Sequence, residues 1–458
     1  MARWKKHSVS IVLSVVFAAP ALAQSPERAS GSEKASPAAE SAVLPPITIQ
    51  HIRPADQRGI NVFEPPKDDA TPFQGFRIEF GGSFTQQFQM LDHRNTAAPR
   101  IVLDANGQPY DANELMDIGW GFNLPTANLY LNAQLAPGIR VSLETYLSSR
   151  HHQEAWVKGG YLQIDRSPID HPLLNAAFEV LTIRAGMFPL NYGDAQFRRS
   201  DNGNALYNPF VGNLILDAWT FEPGAEIYAR KNGLLAMVGV TSGQNKGDVT
   251  APDRRSPAYL AKLGFDRQVA EGLRVRLTGS YYRNRKSPSA TLYWGDRAGS
   301  RYYMVMENKQ ATVTAQAWSG QLNPGFTNEI EAVQINPFIK LGGLELFGVI
   351  ERASGRTAAE AETRTINQYA GDVIYRFLDG EKLYVAGRYN LVDGELLLSG
   401  GNHDISVNRT QLAAGWFITP TILLKGEYVK QKYKDFPASD IRNGGEFDGF
   451  IIEGVVSF

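Results

Sequence analysis

The sequence predicts an all-β chain, a transmembrane antiparallel β-barrel of about sixteen strands. Three observations predict it. Apolar and polar residues alternate with period two in one segment after another from Phe76 to Phe458. The connections between those segments alternate between short and long. After Gln24 no apolar run approaches the roughly 18–20 residues that a spanning helix requires.

Two segments of different character precede the first strand. Residues 1–23 read as a secretory signal peptide. Arg3, Lys5 and Lys6 form a basic start, Ser8 to Phe17 is short and largely apolar, and Ala21-Leu22-Ala23 gives a small-x-small cleavage site. Residues 24–73 are rich in Ser, Ala, Glu and Pro and hold little that could bury a core. They are expected to form a disordered periplasmic extension, with the barrel occupying 74–458.

The first strand shows the alternation over its whole length. Phe76, Ile78, Phe80, Phe84 and Phe88 share one face, and Arg77, Glu79, Ser83, Thr85, Gln87 and Gln89 share the other. Leu129, Leu131, Ala133 and Leu135 then align with Ile139, Val141 and Leu143 across the tight turn Ala136-Pro137-Gly138, which is a hairpin pattern. Strands are expected near 76–90, 124–135, 139–150, 154–165, 181–189, 219–229, 234–242 and 258–266. A second set is expected near 273–283, 328–341, 344–352, 366–377, 382–390, 407–418, 421–433 and 447–458. Eighteen is the nearest alternative, because 284–327 is long enough to hide a hairpin around Tyr302 to Met306.

A soluble β-sandwich also alternates, but here nearly every hairpin has a continuous apolar outer face. A charge at mid-bilayer on the lipid face costs roughly 2–4 kcal/mol, which is a physical cause for that segregation. Trp219, Phe221, Phe265, Tyr281, Tyr375, Phe377, Trp416 and Phe458 stand near strand ends, where aromatic girdles are expected.

Composition excludes several classes. There is no cysteine, so neither disulfides nor thiolate metal sites are available. The formal charge of −1 becomes −4 once the three basic residues of 1–23 are removed, and no strong field points to nucleic acid. Six histidines remain in the mature chain, none on an apolar strand face beside a Ser and an Asn. His151-His152, near Glu154, read as plain loop residues, and no G-x-S-x-G, H-E-x-x-H or phosphate loop occurs. No catalytic group, metal or cofactor is expected.

With the apolar face outward, Arg140, Arg184, Glu226 and Arg388 line the interior, which in a barrel of sixteen strands is wide enough for water. The loop 190–218 follows the fifth strand and carries Arg198, Arg199 and Asp201. Folded inward, these would form a charged constriction; folded outward, the loop would meet lipopolysaccharide.

The final segment Phe450, Ile452, Gly454, Val456, Phe458 resembles the closing strand of bacterial outer-membrane β-barrels. The resemblance implies an outer-membrane location and recognition of Phe458 by the barrel assembly machinery. In overall pattern residues 76–458 look like a porin and, more loosely, the phosphate-selective porin O/P family. The motifs concerned are Ile183-Arg184-Ala185-Gly186-Met187-Phe188-Pro189-Leu190, Gly224-Ala225-Glu226-Ile227-Tyr228 and Leu424-Lys425-Gly426-Glu427-Tyr428-Val429. The resemblance implies passive passage of small hydrophilic solutes with at most a mild anion preference, and leaves a homotrimer open. The alternatives are a channel specific for an oligosaccharide or organic acid, and an outer-membrane barrel hydrolase.

Overall fold

The computed structural model describes residues 46–147, 155–246, 249, 252–296 and 298–458. The signal stretch 1–23, the extension up to residue 45 and the His151-His152 pair lie outside the described residues. Sixteen antiparallel strands close into one barrel. The first eight are β1 (Arg77–Arg94), β2 (Thr126–Ala136), β3 (Ile139–Leu147), β4 (Ala155–Ile164), β5 (Leu181–Pro189), β6 (Phe221–Lys231), β7 (Leu234–Thr241) and β8 (Ala258–Ala270). The rest are β9 (Leu273–Asn284), β10 (Glu329–Leu341), β11 (Leu344–Arg356), β12 (Arg364–Phe377), β13 (Leu383–Leu398), β14 (Gly401–Thr419), β15 (Ile422–Lys434) and β16 (Glu446–Ser457). Each pairs with its neighbours in sequence, and β1 closes on β16 from Ser83↔Ser457 to Arg94↔Glu446. Closure leaves no edge strand in the wall.

The period-two pattern sorts the two faces of the wall. Leu129, Val238, Leu263, Val373, Leu412 and Phe450 point outward and are exposed, Leu263 to 66 %. An apolar belt around the whole circumference is too large to face water, so its solvent is lipid and the wall is transmembrane. Among the described residues no helix is long and apolar enough to cross a membrane. Phe80, Tyr375, Trp416 and Phe458 form one aromatic girdle at the short-turn rim. Trp219 and Phe221, expected in a girdle, instead face inward at 8 % exposure each. The sixth strand begins at Phe221, and Trp219 belongs to the loop that fills the lumen.

Eighteen strands are not formed. Among the described residues, 285–328 contribute no strand to the wall, and Tyr302, Val305 and Met306 are buried in an apolar cluster with Tyr282, Val429 and Phe447. The connection expected over 391–406 is also different: β13 and β14 run on as a long hairpin, paired from Leu383↔Trp416 to Leu398↔Gly401.

The extension departs most from expectation. Residues 46–73 are packed across the short-turn rim. Gln50 Oε1 accepts from Gly138 N of the β2–β3 turn (2.9 Å), and Lys67 Nζ donates to Leu181 O at the start of β5 (2.6 Å). Asn61 Nδ2 donates to Glu345 on β11 (2.6 Å), Gln57 Nε2 to Gly380 O between β12 and β13 (2.6 Å), and Gln57 N to Pro420 O between β14 and β15 (2.9 Å). Those partners are distributed around the rim, so the segment crosses the mouth of the barrel. Phe63, 1 % exposed, seats it with edge contacts to Phe197 and Phe338. These residues are too poor in apolar side chains to bury a core of their own, and the barrel supplies one.

The seam between first and last strands is tight. Phe458 N donates to Gly82 O and Gly82 N to Phe458 O, both at 2.9 Å. A Cβ on Gly82 would lie 2.9 Å from Phe458 Cζ and 3.2 Å from Asn128 O, whereas one on Gly279 of β9 meets nothing within 4 Å. Gly82→Val is therefore expected to reduce the fraction that migrates as a compact folded band without boiling on SDS gels, and Gly279→Val to leave it unchanged. Equal effects would place the barrel's sensitivity elsewhere than the seam.

Candidate functional site

The lumen is the candidate site, and the loop 190–220 is its centre. A loop inside a barrel carries backbone N–H and C=O groups away from bulk water, and each needs a partner. The inward side chains of the wall provide them. Asn336 Oδ1 accepts from Asp194 N (2.8 Å), Glu427 Oε2 from Val211 N (2.8 Å), Asn390 Oδ1 from Ile215 N (2.7 Å) and Gln368 Oε1 from Leu216 N (3.0 Å). Lys425 Nζ donates to the carbonyls of Ala205, Asn208 and Phe210 at 2.8–2.9 Å. Arg409 Nη1 holds Asn213 O at 2.5 Å. The loop is thus tied to strands β10, β12, β13, β14 and β15 across the interior.

Arg198, Arg199 and Asp201 all lie inside, 3 %, 6 % and 8 % exposed, but in different settings. Arg198 reaches toward the short-turn rim, where it bonds Asn61 of the N-terminal segment and pairs with Glu345 at 3.2 Å. Burial pushes its pKa down, which Glu345 only partly opposes. Arg199 forms a bidentate pair with Asp217 (3.0 and 2.6 Å) above the Trp219 ring. Burial would lower its pKa too, but Asp217 and then Asp201 outweigh it and hold it raised. Asp201 pairs with Lys158 on β4 and accepts from Trp219 Nε1.

The four wall residues picked from the sequence also point inward. Arg184 and Glu226 are register partners on β5 and β6 and form an ion pair, with Arg184 Nη2 also on Tyr228 Oη at 2.7 Å. Arg388 grips Asp372, its register partner on β12, at 2.6 and 2.8 Å. Arg140 on β3 bonds Ser142 and Gln163. They were expected to stand hydrated in a wide channel. Instead the loop reaches Glu226 through Asn191 N and Arg388 through Gly212 O, and Arg184, Glu226 and Arg388 spend their charge on one another or on Asp372.

Sequence reasoning missed the most concentrated cluster. Asp194 of the loop accepts from Arg276 (2.8 Å twice), Lys262 (2.7 Å) and Thr278 (2.8 Å). Glu64 of the N-terminal segment shares the same two cations, at 2.9 Å from Arg276 and 3.2 Å from Lys262, and also accepts from Asn191. Burial alone would raise the pKa of both carboxyls; Arg276 and Lys262 reverse that and hold Glu64 well below the ordinary carboxylate range. The signal available in the sequence was two cations, Lys262 and Arg276, on inward positions of adjacent strands, with only Asp266 beside Arg276 in register and no acid opposite Lys262.

This cluster makes docking of residues 46–73 pH-dependent. The docked pKa of Glu64 lies below that of a released segment. Its stabilisation is therefore complete above the released value, about pH 4.3, and is lost as pH falls through the docked value. Protection of the amides over 57–66, measured against the free-peptide exchange rate at the same pH, is expected to be high at pH 7 and to fall in acid. Glu64→Gln leaves two buried cations partly uncompensated and is expected to weaken docking by about 3 kcal/mol, lowering that protection at pH 7 as well. Unchanged protection in the variant would mean that the segment is held by Phe63 and the backbone bonds alone.

No protein-family model matches this chain, and no curated protein matches it. Among solved structures it is similar to the anion-selective porin from Comamonas acidovorans, with 11% identity over 84% of this chain and 100% of that one and a TM-score of 0.49. It is also similar to OmpT, an outer membrane protein of Vibrio cholerae, in its trimer form (11% identity, 84% and 100% coverage, TM-score 0.48). A third is the outer membrane channel DcaP of Acinetobacter baumannii (10% identity, 84% and 98% coverage, TM-score 0.46). None reaches a TM-score of 0.5, and the barrel stands on its own strand register.

Proposed function

We propose that the chain is an outer-membrane channel for small hydrophilic solutes, with the short-turn rim and the N-terminal segment on the periplasmic side. The observation that carries this reading is the loop 190–220, which leaves the wall after β5 and crosses a lumen lined with paired charges. A wall with a lipid-facing belt and a polar interior has transport as its natural use. A second reading, a narrow solute-selective channel, is favoured over a wide general pore by the packing of 285–328 and 46–73 into the same interior. Acidic groups accompany nearly every basic one, so the resemblance to phosphate-selective porins reduces to a mild anion preference. Trimer formation and contact with lipopolysaccharide and the assembly machinery belong to the same proposal.

Planar-bilayer recording tests it. Small ohmic steps are expected; a silent barrel that hydrolyses lipid or peptide would overturn the reading. Arg199→Ala leaves Asp217 without its bidentate partner, so the double variant Arg198→Ala, Arg199→Ala is expected to shift the reversal potential toward cations. Arg274→Ala, at a pair with Asp266 that is partly exposed, is expected to do much less, since fields are screened over roughly 8–10 Å. Equal shifts from both changes would mean that solutes do not pass the loop.

A further inference from the structure

Between the N-terminal segment and the loop lies a cavity of about 620 Å³, within the size range of small-molecule sites. Two of its lining cations have no carboxylate within ion-pair distance among the described residues. Arg140, 2 % exposed, donates to Ser142 Oγ (2.6 Å) and Gln163 Oε1 (2.8 Å), and its Nε has no hydrogen-bond partner. Arg53 donates to the carbonyls of Gly59 and Phe197, both at 2.9 Å, with its guanidinium 3.7 Å above the Tyr207 ring. The other guanidiniums of the lining are matched: Arg58 by Asp56, Arg184 by Glu226, Arg199 by Asp217. The lining acids are engaged as well, Glu144 and Asp201 by Lys158 and Glu79 by the Thr48 hydroxyl. A buried cation without a counter-ion is strongly unfavourable, and an arriving anion relieves it.

The rest of the lining narrows the class of anion. Tyr130, Tyr161, Tyr207, Trp219 and Phe221 present rings to the cavity, and the Tyr161 ring has the Arg140 and Arg184 guanidiniums at 5.7 and 5.3 Å. Inorganic phosphate would use the charge and leave this aromatic wall unused. We propose that the cavity binds a small aromatic carboxylate, its carboxylate directed to Arg140 and Arg53 and its ring laid against the aromatic wall. This rests on the channel reading, in which the occupied cavity is a station on the solute's path behind the N-terminal segment.

The test is calorimetric titration of the full-length protein in detergent with benzoate, benzyl alcohol and inorganic phosphate. Saturable benzoate binding is expected, with the neutral alcohol and phosphate at least roughly tenfold weaker. Arg140→Gln and Arg53→Gln should each weaken benzoate by roughly tenfold or more while the compact unboiled gel band is kept. Should Arg140→Gln fail to fold, Arg53→Gln, which lies outside the barrel wall, carries the test alone. Benzyl alcohol or phosphate binding as tightly as benzoate, or folded variants binding benzoate like the parent, would overturn the proposal. A barrel that conducts but does not bind benzoate would lose this site and keep the channel. One that binds benzoate but never conducts would keep the site and lose the channel.

Discussion

Polypeptide inside a barrel must have its backbone satisfied, and most of the interior of this molecule follows from that constraint. The wall needs nothing from the lumen, because its own ladder pairs every strand with two neighbours. The loop 190–220 has no such ladder. Its amides and carbonyls are taken up one by one by Asn336, Gln368, Asn390, Arg409, Lys425 and Glu427, residues from the five strands β10 and β12 to β15. The inward polar face therefore serves two purposes. It is the complement of the lipid face, and it is the hydrogen-bonding surface on which the loop is laid.

A second layer of order comes from charge. Lys262 and Arg276 stand on neighbouring strands and would repel each other in a low-dielectric interior. Asp194 from one direction and Glu64 from the other neutralise them, so the loop and the N-terminal segment are held by the same pair of cations. Above this cluster, toward the long-loop rim, the interior becomes apolar: Tyr192, Ile215, Leu292, Tyr302, Val305 and Phe326 pack as the core of a water-soluble domain would. The barrel thus carries two apolar surfaces, one turned to lipid and one to its own loops.

The wall was legible in the sequence because a period of two needs only local information. All sixteen strands lie where the alternation places them, with ends shifted by a few residues except at the β13–β14 hairpin, where the strands run on by eight and six, and the pairing of Arg184 with Glu226 follows from register alone. What lies inside was less legible, because it depends on partners far away along the chain. Glu64 looks like one acid in a proline-rich stretch until Lys262 and Arg276 are placed beside it. Trp219 looks like a membrane-interface residue because the alternation places the start of a strand there, yet Arg199 and Asp201 draw its ring inward. Arg198 and Arg199 are adjacent in sequence and end in separate ion pairs, a divergence that the 3₁₀ turn Ala195–Arg198 produces and composition cannot express.

The seam at Gly82 and Phe458 has a consequence for the order of assembly. The segment 46–73 lies across one mouth of the barrel and the loop 190–220 lies inside it, and the wall around them is closed by the pairing of β1 with β16. Once β1 and β16 have zipped, a loop left outside would have to pass through either rim to reach its place. The interior must therefore be collected while the sheet is still an open, curling surface.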